Sequence, residues 1–469
     1  MKVEPTDCPT SPRAYQTTLL SRLDDRFTST RKARIALVAI LGIILIVPSV
    51  QFAISIHKTQ PSDFRAGGER HDTALGRWLP TAELVTQKDR TENPYGFGHW
   101  FPLPPLVLML LAPLSSLGFT GASIVWILLK IGGLVLGMTL LIRALGRDDF
   151  AVPIGVIFIT AVFALRPIVS DIQHGNVNVF MLIWIALAWA MYLRKQDFLA
   201  GLFVAAAIVT KLTPALLLLY FLYKREWRVC IGATIGLLVF VILVPGLYFG
   251  FQENFALLES WFNMLVRPFS VDGYAAIERR NQSLYGVLIR IGGLSGVIPL
   301  QEMSIEQKLV AGMKRMARPE SEGWRLIRPA ISLTLIGSLV WLCRARCVSR
   351  KDPRRLLELA LVLLAMLLLS ERTWKHHGTT VAIVYLAVWY ALTCVPWPER
   401  FRSVLVALLA VQWVLLVGSS VGLLGNSMAK KLLMVGAFTW GWLLCFVQIA
   451  IMLRYLRGKS EPRATRSAA

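Results

Sequence analysis

The chain has 469 residues, of which 55% are hydrophobic, and its mean hydropathy of +0.57 excludes a soluble globular protein. Its formal net charge of +22 lies in short segments beside apolar runs, which excludes the continuous basic face of a nucleic-acid-binding domain. We therefore predict an all-α polytopic membrane protein, with membrane lipids and not nucleic acid around it.

Apolar runs long enough to cross a bilayer recur along the chain. We predict twelve transmembrane helices, at residues 35–55, 121–142, 151–168, 177–193, 198–210, 211–222, 229–250, 327–343, 356–369, 379–395, 403–421 and 432–453. The resulting domains are a basic cytoplasmic segment at 1–34, a transmembrane domain at 35–456 and a disordered cytoplasmic tail at 457–469. The first run follows a polar segment and is interpreted as a retained anchor, not a cleaved signal peptide.

Two further apolar runs, 103–117 and 284–300, are short and contain Pro or Gly pairs. We predict that both are juxtamembrane helices that do not span. With both set aside, every basic connecting loop falls on the cytoplasmic side, as the positive-inside rule requires. Counting either run alone as a span would invert every later loop. The run at 198–222 then forms a short hairpin with KLTP, 211–214, at its outer tip.

This topology leaves long external loops at about 56–102 and 251–326, too long to be simple connectors. Within the second, 301–325 is predicted as a charged amphipathic segment on the membrane surface. The six histidines all lie in external segments or at their boundary, and histidine serves many kinds of chemistry. They are His57, His71, His99, His174, His376 and His377. The sequence therefore predicts one polar site on the extracytoplasmic side.

Residue chemistry leaves two readings open at most candidate positions. Lys211 lies between apolar half-spans, so it either binds an anion or extends to the interface. Asp63 is either a general base or a loop acid, and Trp374 either stacks on a sugar or anchors the membrane interface. His376 and His377 either bind substrate or lie at the membrane interface, and either histidine is a candidate for the substrate-binding role.

Six motifs in order, across about 35–396, resemble glycosyltransferase family 87. They are SDF at 62–64, NPYG at 93–96 before the run FPLPPLVLMLLAPLSSLG, DIQHGNVNVF at 171–180, LAGLFVAAAIVTKLTPALLLLYFLYKREWR at 199–228, NQSL at 281–284 and SERTWKHH at 370–377. The match has departures: a long polar insertion separates SDF from NPYG, Asn176 replaces a common Gln, and Lys375 precedes the histidines.

The resemblance implies a GT-C fold and an inverting transferase that moves one sugar, mannose, from a polyprenyl-phosphate donor to a glycolipid or glycan acceptor. It implies Asp63 as the base, with Asp72 and Asp171 in reserve, and His376 or His377 in catalysis. The substrate-binding residues predicted from residue chemistry are Lys211, Asp171, His174, Asn176, Arg280, Asn281, Gln282 and Trp374. A divalent metal or other cofactor is not expected. The expected location is a bacterial plasma membrane, and the distribution of basic loops predicts that both termini are cytoplasmic.

Three other functions remain open: a transporter or flippase of lipid-linked sugars, a ligase or polymerase of lipid-linked oligosaccharides, and an inactive scaffold. A transporter predicts polar residues along the spans and internal repeats. The polar residues of this chain instead concentrate at one face, which favours the transferase.

Overall fold

The computed structural model describes residues 73–86, 92–96, 101–146, 151–304, 315–345 and 349–460, together with single positions between 42 and 54. The predicted segment 1–34, residues 461–469 and the candidate base Asp63 lie outside the described residues, as do His57, His71, Asp72 and His99.

The described chain is almost entirely helical. Helices α1 to α9 are Ala74–Leu84, Pro105–Ser115, Gly118–Leu145, Ile154–His174, Asn178–Leu193, Asp197–Thr210, Ala215–Tyr223, Trp227–Leu237 and Val244–Phe249. Helices α10 to α19 are Phe251–Trp261, Arg267–Ser270, Leu284–Leu294, Glu322–Arg325, Ile327–Leu342, Pro353–Leu369, Val381–Cys394, Glu399–Gly418, Val421–Met434 and Ala437–Ser460. Two π-helical segments, Leu238–Leu243 and Phe262–Val266, continue α8 and α10, and the 3₁₀ turn Lys375–Thr380 leads into α16.

Seven helical segments among the described residues are long and apolar enough to cross a membrane, which shows a polytopic all-α membrane protein. They are Gly118–Leu145, Ile154–His174, Trp227–Phe249, Glu322–Leu342, Lys375–Cys394, Glu399–Gly418 and Ala437–Gly458. Several other predicted spans are shorter helices, such as α5 and α6, so the count of twelve stays a prediction.

The two runs predicted not to span form the short helices α2 and α12. Each has 11 residues and is about 17 Å long, well short of a hydrocarbon core of about 30 Å. The hairpin at 198–222 is also short, since α6 has 14 residues and α7 has 9.

The centre of the bundle is formed by α15 and α16, in which nearly every side chain is buried. Helices that are apolar on all sides belong in such a position. Outer helices instead expose large apolar side chains, among them Leu128, Leu247 and Leu333. That exposure suits contact with lipid.

Helices α6 and α8 pack closely because glycines face each other. A Cβ on Gly201 would lie 2.2 Å from the carbonyl oxygen of Val229, and one on Gly232 would lie 2.2 Å from that of Phe198. Small residues at such contacts let helix backbones approach in a membrane.

A small antiparallel sheet, in the order β1-β3-β2, interrupts the second long loop. Its strands are Ala275–Ala276, Leu300–Glu302 and Met316–Pro319. Met316 and Ala317 are fully buried, so the prediction of a surface amphipathic segment over 301–325 is wrong at β3.

Candidate active site

A cavity of about 730 Å³ opens where α4 meets α5, beside the α6–α7 tip and the loop before the 3₁₀ turn. Six basic side chains line it: Arg77, Lys211, Arg279, Arg280, Arg315 and Arg372. The acids lining it are Glu278 and Glu371, and Glu371 already pairs with Arg328 at 2.7 Å. The cavity therefore favours an anionic group.

Part of the cavity wall is apolar. It comes from the α6–α7 tip and from the segment around the second π-helical stretch, with side chains that include Leu212, Leu265, Val266 and Phe269. An apolar wall beside a basic one suits an amphiphile that carries a phosphate.

The turn between α4 and α5 depends on Gly175, whose φ of 61° is left-handed. Its N–H bonds the carbonyl oxygens at the end of α4, which closes the helix. A Cβ here would lie 2.5 Å from Cε2 of Phe52 and 3.1 Å from Cβ of Leu75. Only glycine fits, both for its backbone and for its neighbours.

Asp171, predicted to bind substrate, is fully buried and does not line the cavity. Its Oδ2 accepts from the Lys130 ammonium at 2.7 Å and from the Val179 N–H at 3.3 Å. Its Oδ1 accepts from the backbone and side-chain amides of Asn178 at 3.2 and 3.0 Å. A carboxylate that binds substrate needs an accessible oxygen that no other group occupies. The placement of Asp171 therefore argues against a substrate-binding role.

Lys211 lies in the connection between α6 and α7, outside the membrane-spanning helices, and lines the cavity. Its ammonium donates to Oδ1 of Asn178 at 3.0 Å. Burial, followed by the nearby charge of Arg372, lowers the pKa of Lys211 to about 7. The adjacent carboxylate of Asp171 opposes that shift.

The two adjacent histidines have different surroundings. His377 lines the cavity, whereas His376 is buried behind it. Nε2 of His376 lies 3.3 Å from Nδ2 of Asn176, and its ring stacks on His174 with 4.9 Å between centroids. His174 and Asn176 both line the cavity, so His376 supports groups that face it.

Trp374 contacts both a cation and a histidine. The Arg372 guanidinium is 5.5 Å from the Trp374 ring, and the His377 ring stacks on it at 6.1 Å. Nδ1 of His377 is 3.2 Å from the Trp374 N–H and 3.1 Å from the Arg372 carbonyl oxygen. With Nδ1 held by the backbone, Nε2 is the ring nitrogen left for a ligand.

Asn281 and Gln282, also predicted to bind substrate, are fully buried and connect loops. The Asn281 amide donates to the carbonyl oxygens of Ala276 and Glu371 and accepts from the Thr373 N–H at 2.9 Å. The Gln282 amide donates to the Leu433 carbonyl oxygen at 2.8 Å. Neither lines the cavity: the Asn281 amide holds residues 371–373 in place, and the Gln282 amide joins its loop to the end of α18.

The structure thus brings six of the predicted residues to one cavity: Lys211, His174, Asn176, Arg280, Trp374 and His377. Sequence reasoning missed Arg77, Arg315 and Arg372 as cavity residues. Arg372 could have been found, because it lies within the SERTWKHH motif. Arg315 gave no signal, because the unexpected strand β3 brings it to the cavity.

In the part of the chain that the structure describes, no group of three or more His, Cys, Asp or Glu side chains could hold a metal ion. The expectation that no metal is needed stays a prediction, because the loop with Asp63 lies outside that part.

Comparison with known proteins gives one family match and several relatives of the chain. The model of Glycosyltransferase family 87 matches residues 101–371. The polyprenol-phosphate-mannose-dependent alpha-(1-2)-phosphatidylinositol mannoside mannosyltransferase of Mycobacterium tuberculosis (strain ATCC 25618 / H37Rv) is 24% identical over 358 residues, 72% of each chain. A second relative is the pentamannoside mannosyltransferase of strain CDC 1551 / Oshkosh, 24% identical over 62% of this chain and 58% of its own. A third, a phosphatidylinositol mannoside mannosyltransferase of Mycolicibacterium smegmatis, is 26% identical over 57% of this chain and 60% of its own.

Proposed function

The chain belongs to glycosyltransferase family 87 and is an integral membrane glycosyltransferase, and we propose that it transfers a single mannose from a polyprenyl-phosphate donor with inversion. The names of its relatives supply the donor, because each is described as polyprenol-phosphate-mannose-dependent.

The observation that carries this proposal is the two-sided cavity. Its basic side chains can neutralise a phosphate, and charge-assisted hydrogen bonds to phosphate are among the strong ones in proteins. Its apolar wall can receive the start of a polyprenyl chain beside that phosphate. Lys211 and the Nε2 of His377 are the groups proposed to hold the phosphate, with Arg280 nearer the exposed rim.

The proposed reaction is a direct displacement. An acceptor hydroxyl attacks the anomeric carbon opposite the phosphate, the new glycosidic bond forms, and the bond from that carbon to the phosphate oxygen breaks. The hydroxyl proton passes to Asp63, and the polyprenyl phosphate leaves with the electron pair. Direct attack inverts the anomeric centre. Cations around the leaving phosphate stabilise the charge that develops on it.

The acceptor is proposed to be a glycolipid, because the relatives act on phosphatidylinositol mannosides. Trp374 and the amide of Asn176 are the side chains proposed to contact its sugar. The site is proposed to face outwards from a bacterial plasma membrane, since the positive-inside rule puts the basic loops on the other side.

The test is transfer of radiolabelled mannose from synthetic polyprenyl-phosphate mannose to membrane lipid, in membranes with matched protein levels. Wild type should transfer, whereas Asp63→Asn and Lys211→Met should lose most activity. Matched controls are Asp272→Asn, in an external loop outside the cavity lining, and Lys430→Met, at an exposed position of α18.

Wild type that transfers no mannose would disprove the donor, and other lipid-phosphate sugars would be tried next. Full activity in Asp63→Asn would remove that residue as the base. Transfer of a whole oligosaccharide, not one sugar, would favour the ligase alternative.

A further inference from the structure

A continuous series of polar contacts runs from the inside of the bundle to the cavity. The Lys130 ammonium is 2.7 Å from Oδ2 of Asp171, whose Oδ1 accepts from Nδ2 of Asn178 at 3.0 Å. Oδ1 of Asn178 in turn accepts from the Lys211 ammonium at 3.0 Å. Lys130, Asp171 and Asn178 are all buried, and Lys211 lies on the cavity lining.

The surroundings of Asn178 determine which way its amide points. Its Nδ2 faces two acceptors, Oδ1 of Asp171 and, at 3.1 Å, Oδ1 of Asn176. The Asn176 oxygen also accepts from the Val177 N–H, which shows that it is the oxygen side of that amide. The Asn178 oxygen must therefore point toward Lys211.

The ion pair behind Asn178 explains why the amide stays in place. Removing one partner of a buried ion pair leaves an uncompensated charge and is strongly unfavourable. Lys130 and Asp171 compensate each other at 1% and 0% exposure. The Asp171 carboxylate also accepts backbone N–H groups at the start of α5, so it cannot turn away from Asn178.

We propose that Asn178 is a positioning residue, held by the Lys130–Asp171 pair, that directs the Lys211 ammonium toward the phosphate of the lipid donor. This inference rests on the proposed function. An ammonium has three N–H donors. Within the described residues Lys211 gives one of them to Asn178, which leaves two for the phosphate. Without Asn178, the long side chain of Lys211 would sample other rotamers.

The inference separates Asn178 from the groups that touch substrate. Asn178 does not line the cavity, and of the two cavity residues that its amide contacts, Asn176 and Lys211, only Lys211 carries a cation for the phosphate. Loss of Asn178 should therefore weaken binding of the phosphate and leave binding of the isoprenoid unchanged.

The experiment measures binding of farnesyl phosphate, and of farnesol as the phosphate-free control, to purified full-length protein. The variants are Asn178→Leu, Lys211→Met and their combination, with Asn178→Ser in parallel as a substitution that suits the start of a helix. The matched control is Asn254→Leu, which removes another fully buried asparagine whose amide makes an internal hydrogen bond.

Asn178→Leu should weaken farnesyl phosphate binding by about tenfold or more, the scale of one charge-assisted hydrogen bond, with farnesol binding unchanged. Combined with Lys211→Met it should cause no further loss, because Asn178 acts through Lys211. Asn178→Ser should behave alike, and Asn254→Leu should bind as wild type.

If Asn178→Leu or Asn178→Ser binds farnesyl phosphate with wild-type affinity, the inference is wrong. It is also wrong if the losses of affinity from Asn178→Leu and Lys211→Met multiply in the combined variant. If Lys211→Met itself binds farnesyl phosphate normally, the proposed phosphate site is wrong as well. The Lys211 variant thus separates failure of the positioning role from failure of the proposed function.

Discussion

The rings of His174 and His376 stack on each other, with 4.9 Å between their centroids and 25° between their planes. This contact joins the end of α4 to the 3₁₀ turn that follows Trp374. Nδ1 of His174 is in turn held by the carbonyl oxygen of Ser170 at 2.8 Å. The stacked pair therefore fixes the ring of His376, which in turn lies 4.7 Å from the ring of the cavity-lining His377 between centroids.

Substitution of His377 should lower activity, whereas substitution of His376 should lower stability. His377→Asn keeps an acceptor near the position of Nδ1 but removes Nε2, so transfer should fall about 100-fold with the thermal unfolding temperature unchanged. His376→Ala removes a buried ring and its contacts, so stability should fall by about 1–3 kcal/mol. Radiolabel transfer and thermal unfolding of the same preparations check both. A stable but inactive His376→Ala would reverse the assignment.

Donor binding should depend on the protonation of Lys211. Its lowered pKa, about 7, means that the free enzyme loses the ammonium charge as pH rises through this value. The donor phosphodiester keeps its charge there, so kcat/KM for the donor should be high below pH 7 and fall above it. Lys211→Arg, which stays charged, should not show this fall. Rates at low donor concentration across the pH range test this. An identical fall in the arginine variant would assign the titration to another group.

The pair Lys130–Asp171 should show strong energetic coupling. Each single change, Lys130→Met or Asp171→Asn, leaves a buried partner without its counter-charge or its full set of bonds. We expect a loss of about 3–5 kcal/mol for Lys130→Met, and a smaller loss for the double variant than the two single losses added together. Thermal unfolding in detergent measures this cycle. Additive losses would show that the two groups do not depend on each other.

The contact between α6 and α8 should not tolerate even one added methyl group. In Gly201→Ala the new Cβ meets backbone atoms that cannot move aside, so we expect a loss of about 1–3 kcal/mol. Gly337→Ala is the matched control, since a Cβ there has no atom within 4 Å. Unfolding temperatures of the two variants should differ clearly. Equal values would mean that these helices can separate at little cost.

Helix positions could be predicted well, because each continuous apolar run indicates where a helix begins and ends. The run at 177–193 is the helix Asn178–Leu193, and that at 327–343 is Ile327–Leu342. The sheet could not be predicted, because its strands have two to four residues and lie in a charged loop. Their pairing depends on contacts between distant residues, which no local pattern reveals.

Residue types at the site could be predicted, but their orientation could not. Asp171 and Asn176 lie in one motif, yet the first is buried in an ion pair and the second lines the cavity. The same division separates His376 from His377, and Arg280 from Asn281. Polar residues that hold a loop in place are of the same types as polar residues that face a ligand. Only the local backbone conformation determines which of them points into the cavity.

The ring of Phe52 and the side chain of Leu75 both lie against Gly175. Phe52 and Leu75, which flank the segment that contains Asp63, therefore lie close together at this one glycine. Because the folded bundle holds Phe52 and Leu75 close together, the entropy of closing the segment between them is lost once, when the bundle folds. A side chain at position 175 would therefore push against Phe52 and Leu75, the residues on either side of the segment that carries the proposed base, and would disturb the turn next to His174.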